Sequence, residues 1–334
     1  MGYSKSSFRF YFSQLLKRHE KMKKTLPVIV VVASLLLSLD GSGQQLPMYG
    51  QYVFNSTILN PAHAGSNSCN QVGLLGRHQW VGIDGAPRTY SAYVNFRIPG
   101  NLGLAGGIYQ DNIGKIKDLN FQGDIAYQLR ISRSWRFGVG LRAQVSSTRV
   151  DLTNFNFSDP TDPWYGKDFG NKLLFNTGIG FLFYDSRTFI GLSAPKLLRN
   201  KFTDNITVGE FAREFHLFVY GGTTIELSEL LLVTPSFMFK HADKSPLQVD
   251  FNFVFGYNEV IDFGGVLRSD FDKGLDAVGF IIGLNVAGPL YFGYKYEYPM
   301  NDLNLVTRQT HEVSLRYRWC TGSRNRTASP RYFL

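Results

Sequence analysis

The amino-acid sequence predicts an all-β protein, a transmembrane antiparallel β-barrel of about fourteen strands with an irregular N-terminal segment at its plug or rim. Three observations lead to this prediction. Long segments alternate apolar and polar residues. The composition is aromatic and weakly charged, and it lacks long apolar runs beyond the N-terminus. The number of candidate strands is even, as in single-chain outer-membrane barrels.

The clearest alternation covers residues 119–131 and 311–319. In both segments the odd-numbered positions are mainly apolar and the even-numbered ones mainly polar, as Ile125 beside Asp124 illustrates. Because side chains alternate across a strand, each segment has one apolar and one polar face. A soluble β-sandwich with one wet face also alternates in this way. The candidate strands often reach ten residues, however, whereas strands in globular proteins are usually nearer ~6.

The candidate strands follow one another without a repeat or an interdomain linker. We place them near residues 69–79, 88–98, 101–111, 118–131, 135–148, 171–184, 187–194, 212–226, 230–240, 246–257, 260–269, 274–287, 289–299 and 309–319. Short and long connections alternate between them. The longer ones, expected outside the cell, are 80–87, 112–117, 149–170, 195–211, 241–245, 270–273 and 300–308. This alternation is typical of outer-membrane barrels, which have short periplasmic turns.

Residues 1–43 read as an upstream extension followed by a signal peptide. Three lysines precede the apolar run 26–39, and small residues lead to an expected cleavage site near Gly43–Gln44. An uncleaved anchor helix is the alternative. The segment holds seven of the 35 basic and two of the 26 acidic residues, so the remaining chain has a net charge of +4 instead of +9. The high isoelectric point is therefore no argument for nucleic-acid binding.

The segment 44–68 is neither a regular helix nor a regular strand. Asn60, Pro61 and Gly65 interrupt it, although it also contains apolar side chains such as Tyr52 and Phe54. Two placements are open. The segment folds into the barrel mouth as a plug, or it lies below the rim as a docking surface for periplasmic partners. We favour the plug because so many apolar residues are unsuited to an exposed strap.

The polar strand faces carry charged residues in the middle of strands, as expected for a wet or plugged lumen. A charge lattice that plugs and stiffens the barrel is the first interpretation, and a selective channel is the alternative. The residues concerned are Asp124, Arg130, Arg136, Arg142, Asp250, Arg316 and Arg318.

Catalytic chemistry finds no support in the sequence. The six histidines are scattered without metal-ligand spacing, and no serine, histidine and acid constellation can be picked out. We therefore expect no enzyme, cofactor or metal site. One alternative is a calcium ion held by Asp159, Asp162 and Asp168 in the loop 149–170, although their spacing fits no defined calcium loop.

The two cysteines flank the predicted barrel, which spans residues 69–319. Cys69 begins the first strand, and Cys320 follows the last strand and opens a polar tail, 320–334. Barrel closure makes those two strands neighbours, so a disulfide between them is possible if their Cα atoms come within about 7 Å. Two unrelated thiols are the alternative.

Four motifs, in order, resemble the PorP/SprF family of outer-membrane proteins of the type IX secretion and gliding system. They are QYVFNSTILNPAHAGS (Gln51–Ser66), HQWVGIDGAPRTYSAYV (His78–Val94), GLSAPKLL (Gly191–Leu198) and PLQVDFNF (Pro246–Phe253). The chain departs from the family where Asn55-Ser56 replaces the usual Asn-Pro, where His63 replaces an aromatic residue, and in its C-terminal tail.

The resemblance implies a non-enzymatic role in the outer membrane. Family members are expected to help export cargo proteins with a C-terminal sorting domain, or to hold them at the cell surface. Periplasmic secretion components and outer-membrane lipid are the other partners implied. The external loops are the expected partner surface, with Trp80, Asp84, Pro87, Trp164 and Tyr165 as candidate contacts. A membrane-interface girdle position is the alternative for Trp80.

Two other function classes stay open at this point. The Asn-Pro-Ala tripeptide and the strand number also resemble FadL-like barrels, which transport hydrophobic small molecules. A soluble periplasmic β-sandwich is the third class.

Overall fold

The computed structural model describes residues 56–153, 168–198, 215–242, 245–271, 274–286 and 288–320. Within these ranges the chain forms one antiparallel sheet. Its strands are β1 (Asn70–His78), β2 (Arg88–Ile98), β3 (Leu102–Ile113), β4 (Ile116–Arg130), β5 (Arg136–Asp151), β6 (Asp168–Tyr184), β7 (Thr188–Ala194), β8 (His216–Thr223), β9 (Ile225–Glu226), β10 (Leu231–Ala242), β11 (Gln248–Tyr257), β12 (Ile261–Asp270), β13 (Gly274–Val286), β14 (Leu290–Pro299) and β15 (Thr310–Trp319).

The sheet is closed because the first and last strands pair along their whole length, from Asn70 opposite Trp319 to His78 opposite His311. The strands β8 and β9 both pair with β10 and together form one wall element, which gives a closed barrel of fourteen strands. The predicted fold class is confirmed. The single strand expected at 212–226 is wrong in the described part, since it is interrupted at Thr224. That residue's hydroxyl bonds Thr234 at 2.9 Å instead.

The alternation of side chains is confirmed, with the apolar face outside. Phe121 and Phe175 are 51% and 65% exposed, whereas the adjacent lumen residues Asn120 and Asn176 are 0% and 3% exposed. A water-soluble protein would bury the apolar face. A barrel with apolar residues outside and polar residues inside matches a bilayer on its outer surface.

The connections divide the barrel into two ends. The short-turn end carries 99–101, 131–135, 185–187, 227–230, 258–260 and 287–289. The long-loop end carries 79–87, 114–115, 152–167, 195–215, 243–247, 271–273 and 300–309.

The longer loop expected at 112–117 is wrong. Ile113 pairs directly with Ile116, so the strands β3 and β4 meet in a two-residue turn. Gly114 supplies the positive φ, +58°, that such a hairpin favours.

Helical structure is sparse in the described chain. It comprises α1 (Ser56–Leu59) and the 3₁₀ turns η1 (Pro61–His63) and η2 (Asp302–Leu305). Across the described ranges, none of these is long or apolar enough for a membrane span.

A disulfide joins Cys69 and Cys320 beside the first pair of the barrel seam, with the two Cα atoms 4.4 Å apart. The bond links positions 251 residues apart in sequence. Such a cross-link restricts the unfolded chain strongly, so it is expected to stabilise the closed seam.

Peptide mapping under non-reducing conditions should recover Cys69 and Cys320 in one cross-linked fragment. Replacing both residues by serine should lower the free energy of unfolding by about 2–4 kcal/mol, measured by denaturant titration of the barrel in detergent. A Ser68→Ala variant is the matched control. Recovery of two free thiols from the wild-type protein would contradict the pairing.

Candidate functional site: the plugged lumen

The segment Ser56–Asn67, called the plug here, lies inside the barrel near its short-turn end. All twelve of its residues are buried, and Asn60, Ala62 and Ala64 are completely inaccessible to solvent. The segment contacts mainly the strands β4, β5 and β6 through the turn η1. Asn60 and Pro61, two of the predicted plug residues, are therefore in the lumen. The other two, Tyr52 and Phe54, lie outside the described residues.

The Asn-Pro-Ala sequence explains the shape of the plug. Asn60 is extended (φ −138°, ψ 117°), and its side-chain oxygen accepts a hydrogen bond from the Ala62 backbone N–H at 2.8 Å. Pro61, at the first helical position, lacks the N–H that would be left without a partner there. The Asn60 amide nitrogen donates to the Phe181 carbonyl at 3.0 Å and to the Tyr220 hydroxyl at 2.9 Å. One side chain thus caps the turn and fixes it to the wall.

An arginine of the wall holds the start of the plug. Arg142 donates to the carbonyls of Ile58, at 2.7 Å, and Thr57, at 2.5 Å. Its guanidinium also forms a two-point ion pair with Asp124, with distances of 2.7 and 2.8 Å. Because the carboxylate compensates the buried charge, the arginine can donate hydrogen bonds to the carbonyls without leaving an unpaired charge in the lumen.

Polar side chains of three more strands bind the rest of the plug backbone. Gln128 donates to the carbonyls of Ala62 and Ala64, at 2.9 and 2.8 Å. Asn95 donates to the His63 carbonyl at 3.0 Å and accepts from the Gly65 N–H at 2.8 Å.

Ser193 donates to the Leu59 carbonyl at 2.7 Å. The wall therefore recognises backbone groups of the plug, in addition to bonds inside it such as that from the Ser66 N–H to the His63 carbonyl at 3.1 Å.

Glycines of the wall let the plug approach the sheet closely. A Cβ atom at Gly140 would lie 2.3 Å from the Ala62 nitrogen, and one at Gly103 would lie 2.1 Å from the Ala64 oxygen. At Gly180 it would lie 1.9 Å from the Asn60 side-chain oxygen. Any side chain at these positions would overlap the plug. The wall surface that contacts the plug is called the seat here, and it comprises these three glycines with Asn95, Gln128, Arg142, Ser193 and Tyr220. The seat therefore requires glycine at all three positions.

His63 of the plug contacts Tyr220 of the seat. Its Nε2 is 2.6 Å from the Tyr220 hydroxyl, and the two rings stack with their centroids 5.9 Å apart. Burial lowers the pKa of His63 to about 3. The imidazole is therefore neutral in the seated plug at physiological pH.

A cluster of buried apolar side chains in the lumen packs against the plug. Ile58, Leu59 and Ala62 belong to one buried cluster with side chains of the barrel wall. Those wall residues include Leu75, Leu182, Phe189, Met238, Val254, Val266, Ile281 and Tyr291.

A charge cluster lies on the lumen face of β10, β11, β12, β14, β15 and β1, nearer the long-loop end. Its members are Arg77, Lys240, Asp250, Arg268, Lys295, Glu297 and Glu312. Arg268 bridges Asp250, at 2.9 Å, and Glu297, at 2.8 Å. Arg77 bridges Glu297, at 3.1 Å, and Glu312, at 3.0 Å. Removing one partner would leave an uncompensated buried charge, so these pairs depend on one another.

The predicted lumen charges divide into two groups. Asp124, Arg142 and Asp250 form buried ion pairs, and buried Arg316 lies 4.8 Å above the Tyr291 ring. Nearer the short-turn rim, Arg130 is exposed, whereas Arg136 and Arg318 are half-buried.

Sequence reasoning missed the rest of the charge cluster and the wall residues Asn95, Gln128 and Ser193. The same alternation of faces would have placed their side chains in the lumen. It gives no signal for which of them contact the plug.

The predicted loop contacts at the long-loop end are only partly described. Trp80 is half-buried with φ +51°, and its backbone N–H donates to the Thr310 hydroxyl at 3.2 Å. Asp84 is exposed, and the half-buried Pro87 closes its loop by accepting from the Gln79 N–H at 3.0 Å. Trp164 and Tyr165 lie outside the described residues.

The calcium alternative cannot be followed through its whole loop, because Asp159 and Asp162 also lie outside the described residues. Asp168 accepts a hydrogen bond from Arg149 at 2.5 Å. The described ranges hold no group of three or more histidine, cysteine or acidic side chains placed to bind a metal ion.

Comparisons with solved structures find barrels of low sequence identity. A Pseudomonas aeruginosa FadL homologue is 10% identical, with a TM-score of 0.49 over 83% of this chain and 96% of that one. The CymD monoaromatic hydrocarbon channel is 10% identical, with a TM-score of 0.46 over 84% and 95%. The KdgM porin in complex with disordered oligogalacturonate is 8% identical, with a TM-score of 0.37 over 75% and 99%.

No curated protein matches the chain. A family model does match it, over residues 41–317, and its description is type IX secretion system membrane protein PorP/SprF. The match covers most of the sequence, including every strand up to the last residues of β15. The chain therefore belongs to the PorP/SprF family of type IX secretion system membrane proteins.

Proposed function

We propose that this protein is a plugged outer-membrane barrel that supports the export or surface attachment of cargo proteins with a C-terminal sorting domain. In this proposal the signal peptide is removed near Gly43–Gln44, and the short-turn end faces the periplasm. Family membership supports the secretion role, and the plug supports a scaffold more than an open pore. The long-loop end, with Trp80 and Asp84, is the proposed cargo surface, and periplasmic secretion components contact the short-turn end.

The contents of the lumen favour this role over a transporter of hydrophobic small molecules. Such a transporter needs a continuous apolar path through the barrel. Here buried ion pairs line the lumen nearer the long-loop end, and the plug lies in the lumen nearer the short-turn end. Desolvated ion pairs and buried backbone groups make both regions unfavourable for a passing hydrocarbon.

Deleting the gene should remove one particular surface protein from the cell envelope, because the proposed scaffold would no longer export or retain it. Quantitative proteomics of the washed cell surface measures this effect, with the gene restored in trans as the control. Unchanged surface proteins together with impaired uptake of a lipid-like compound would instead support the transporter.

A Gly140→Val substitution should displace the plug, because the new side chain would overlap the Ala62 backbone. We expect the single-channel conductance of the Gly140→Val variant in planar bilayers to approach that of a variant lacking residues 45–66. Gly123→Val is the matched control, since a Cβ atom there meets nothing within 4 Å. Equal conductance of the wild type, Gly140→Val and the deletion variant would contradict a blocking role for the plug.

Acidification should release the plug through His63. Burial lowers the pKa of the seated imidazole to about 3, whereas the pKa of an exposed imidazole is near 6.5. The seated state therefore loses stability as pH falls from 6.5 towards 3. At pH 5 the loss is about 2 kcal/mol, or roughly a 30-fold rise in the open fraction relative to pH 7.5.

Conductance recorded between pH 7.5 and 5 measures this rise. His63→Gln keeps a polar group near Tyr220 without titrating in this range, so its profile should be flat. The same rise in both proteins would assign the pH dependence to other groups.

A further inference from the structure

The outer surface of β4 shows where the hydrocarbon of the bilayer ends. Its outward positions from Leu119 to Leu129 carry only leucine, phenylalanine, glycine, isoleucine and tyrosine. With a rise of about 3.4 Å per residue and a tilt near 40°, this stretch spans about 26 Å along the membrane normal. That height matches the apolar band of about 25 Å that outer-membrane barrels present to lipid. Lys117, the next outward residue, therefore lies at the level of the lipid head groups at the long-loop end.

Three outward residues form a polar row at this level, called the head-group row here. They are Arg88 on β2, Asn112 on β3 and Lys117 on β4, and Asn112 lies opposite each of the other two. Residues that lie opposite each other share one face of the sheet. Since neighbouring strands are about 4.8 Å apart, the backbones of Arg88 and Lys117 are separated by about 10 Å, with the Asn112 amide between them.

Both cations of the row can be reached by an anion from outside. Arg88 and Lys117 are exposed, and within the described ranges neither side chain forms an ion pair. Arg149, which lies opposite Lys117 on β5, differs because it already donates to Asp168 at 2.5 Å. The row of uncompensated positive charge therefore ends at Lys117.

The groups next to the row also fit a membrane interface. The Asn112 side-chain oxygen accepts from Gln110 Nε2 at 3.2 Å, so its NH₂ group is the part left to donate to a ligand. Tyr90 lies one outward position nearer the membrane centre than Arg88. It is 48% exposed, and its hydroxyl lies 2.5 Å from His78 Nε2. An exposed tyrosine at this height is typical of the aromatic girdle of a barrel.

The short-turn end of the same three strands, all fully described, has a different outer surface. Its outward residues are Ile98 on β2, Leu102 on β3 and Leu129 on β4. Nearby, Trp135 and Phe183 stack with their ring centroids 4.4 Å apart. These side chains suit acyl chains and the interface but cannot pair with an anion. Outward cations thus lie only at the long-loop end of β2–β4, which indicates an anionic lipid in the leaflet at that end.

We propose that the head-group row binds a phosphate group of lipid A, the phosphorylated glycolipid of the outer leaflet. Arg88 and Lys117 pair with the phosphate oxygens, and the Asn112 amide donates between them. Charge-assisted hydrogen bonds of this kind are strong, and the arginine fork can hold two phosphate oxygens at once. The acyl chains lie along the apolar outer face of β2–β4. This inference rests on the proposed orientation, with the long-loop end outside the cell, and not on the secretion role.

Titration of the full-length protein in detergent with bis-phosphorylated lipid A tests the proposal, with the bound fraction measured by native mass spectrometry. The double variant Arg88→Gln with Lys117→Gln should bind this lipid about tenfold more weakly than the wild type, because two partly exposed charge pairs are lost. The matched control, Arg130→Gln with Arg133→Gln, removes two exposed arginines at the short-turn end and should bind as the wild type does. The heat-modifiable band of unboiled samples shows that each variant is folded.

Lipid A with its phosphates removed separates recognition of the head group from binding of the acyl chains, and it should bind the wild type and the double variant equally. Equal affinity of these two proteins for the bis-phosphorylated lipid would overturn the proposal. Equal affinity of the wild type for both lipids would also overturn it. So would displacement of the lipid by an equal concentration of inorganic phosphate, because the row would then be a site for the free ion. Failure of the secretion role would instead appear in the cell-surface proteome, which this titration does not involve.

Discussion

The structure depends on one constraint: at membrane depth every backbone N–H and C=O must find a partner within the protein, because each unsatisfied group costs several kcal/mol in hydrocarbon. The wall meets this constraint by closing β1 onto β15. The plug is irregular and cannot meet it alone. Wall side chains such as Arg142 and Gln128 therefore supply donors for its carbonyls. The polar side chains of the lumen thus supply the hydrogen-bond partners that the plug backbone needs.

The ion pairs of the lumen follow from the same reasoning. The lumen holds charged side chains that are buried from water, and each such charge must be compensated. Arg142 illustrates the arrangement, since Asp124 neutralises it while its remaining donors hold the plug. The charge cluster towards the long-loop end compensates itself in the same way across several strands. These pairs contribute to the shape of the lumen more than to net stability.

The alternation of apolar and polar residues was enough to predict the barrel, the even number of its strands and the faces of those strands. It could not predict the β3–β4 turn. Each of these strands continues two residues further towards the turn than expected, and in the sequence those residues cannot be distinguished from a polar loop. It also could not assign the seat. Gly140 and Gly123 are both strand glycines, yet only Gly140 contacts the plug. That difference arises from a contact between Ala62 and a strand about 80 residues away, which no local pattern carries.

The chemistry of the seat determines which residues control the plug. Most wall contacts go to plug carbonyls, which every residue type possesses, so many side chains of the plug could change without loss of those bonds. Asn60 is an exception, because its side chain both caps the turn and bonds Tyr220. His63 is another, since its Nε2 lies 2.6 Å from the same hydroxyl. The side-chain specificity of plug binding therefore depends on Asn60, His63 and Tyr220. The close approach of the plug to the wall depends on the glycines of the wall.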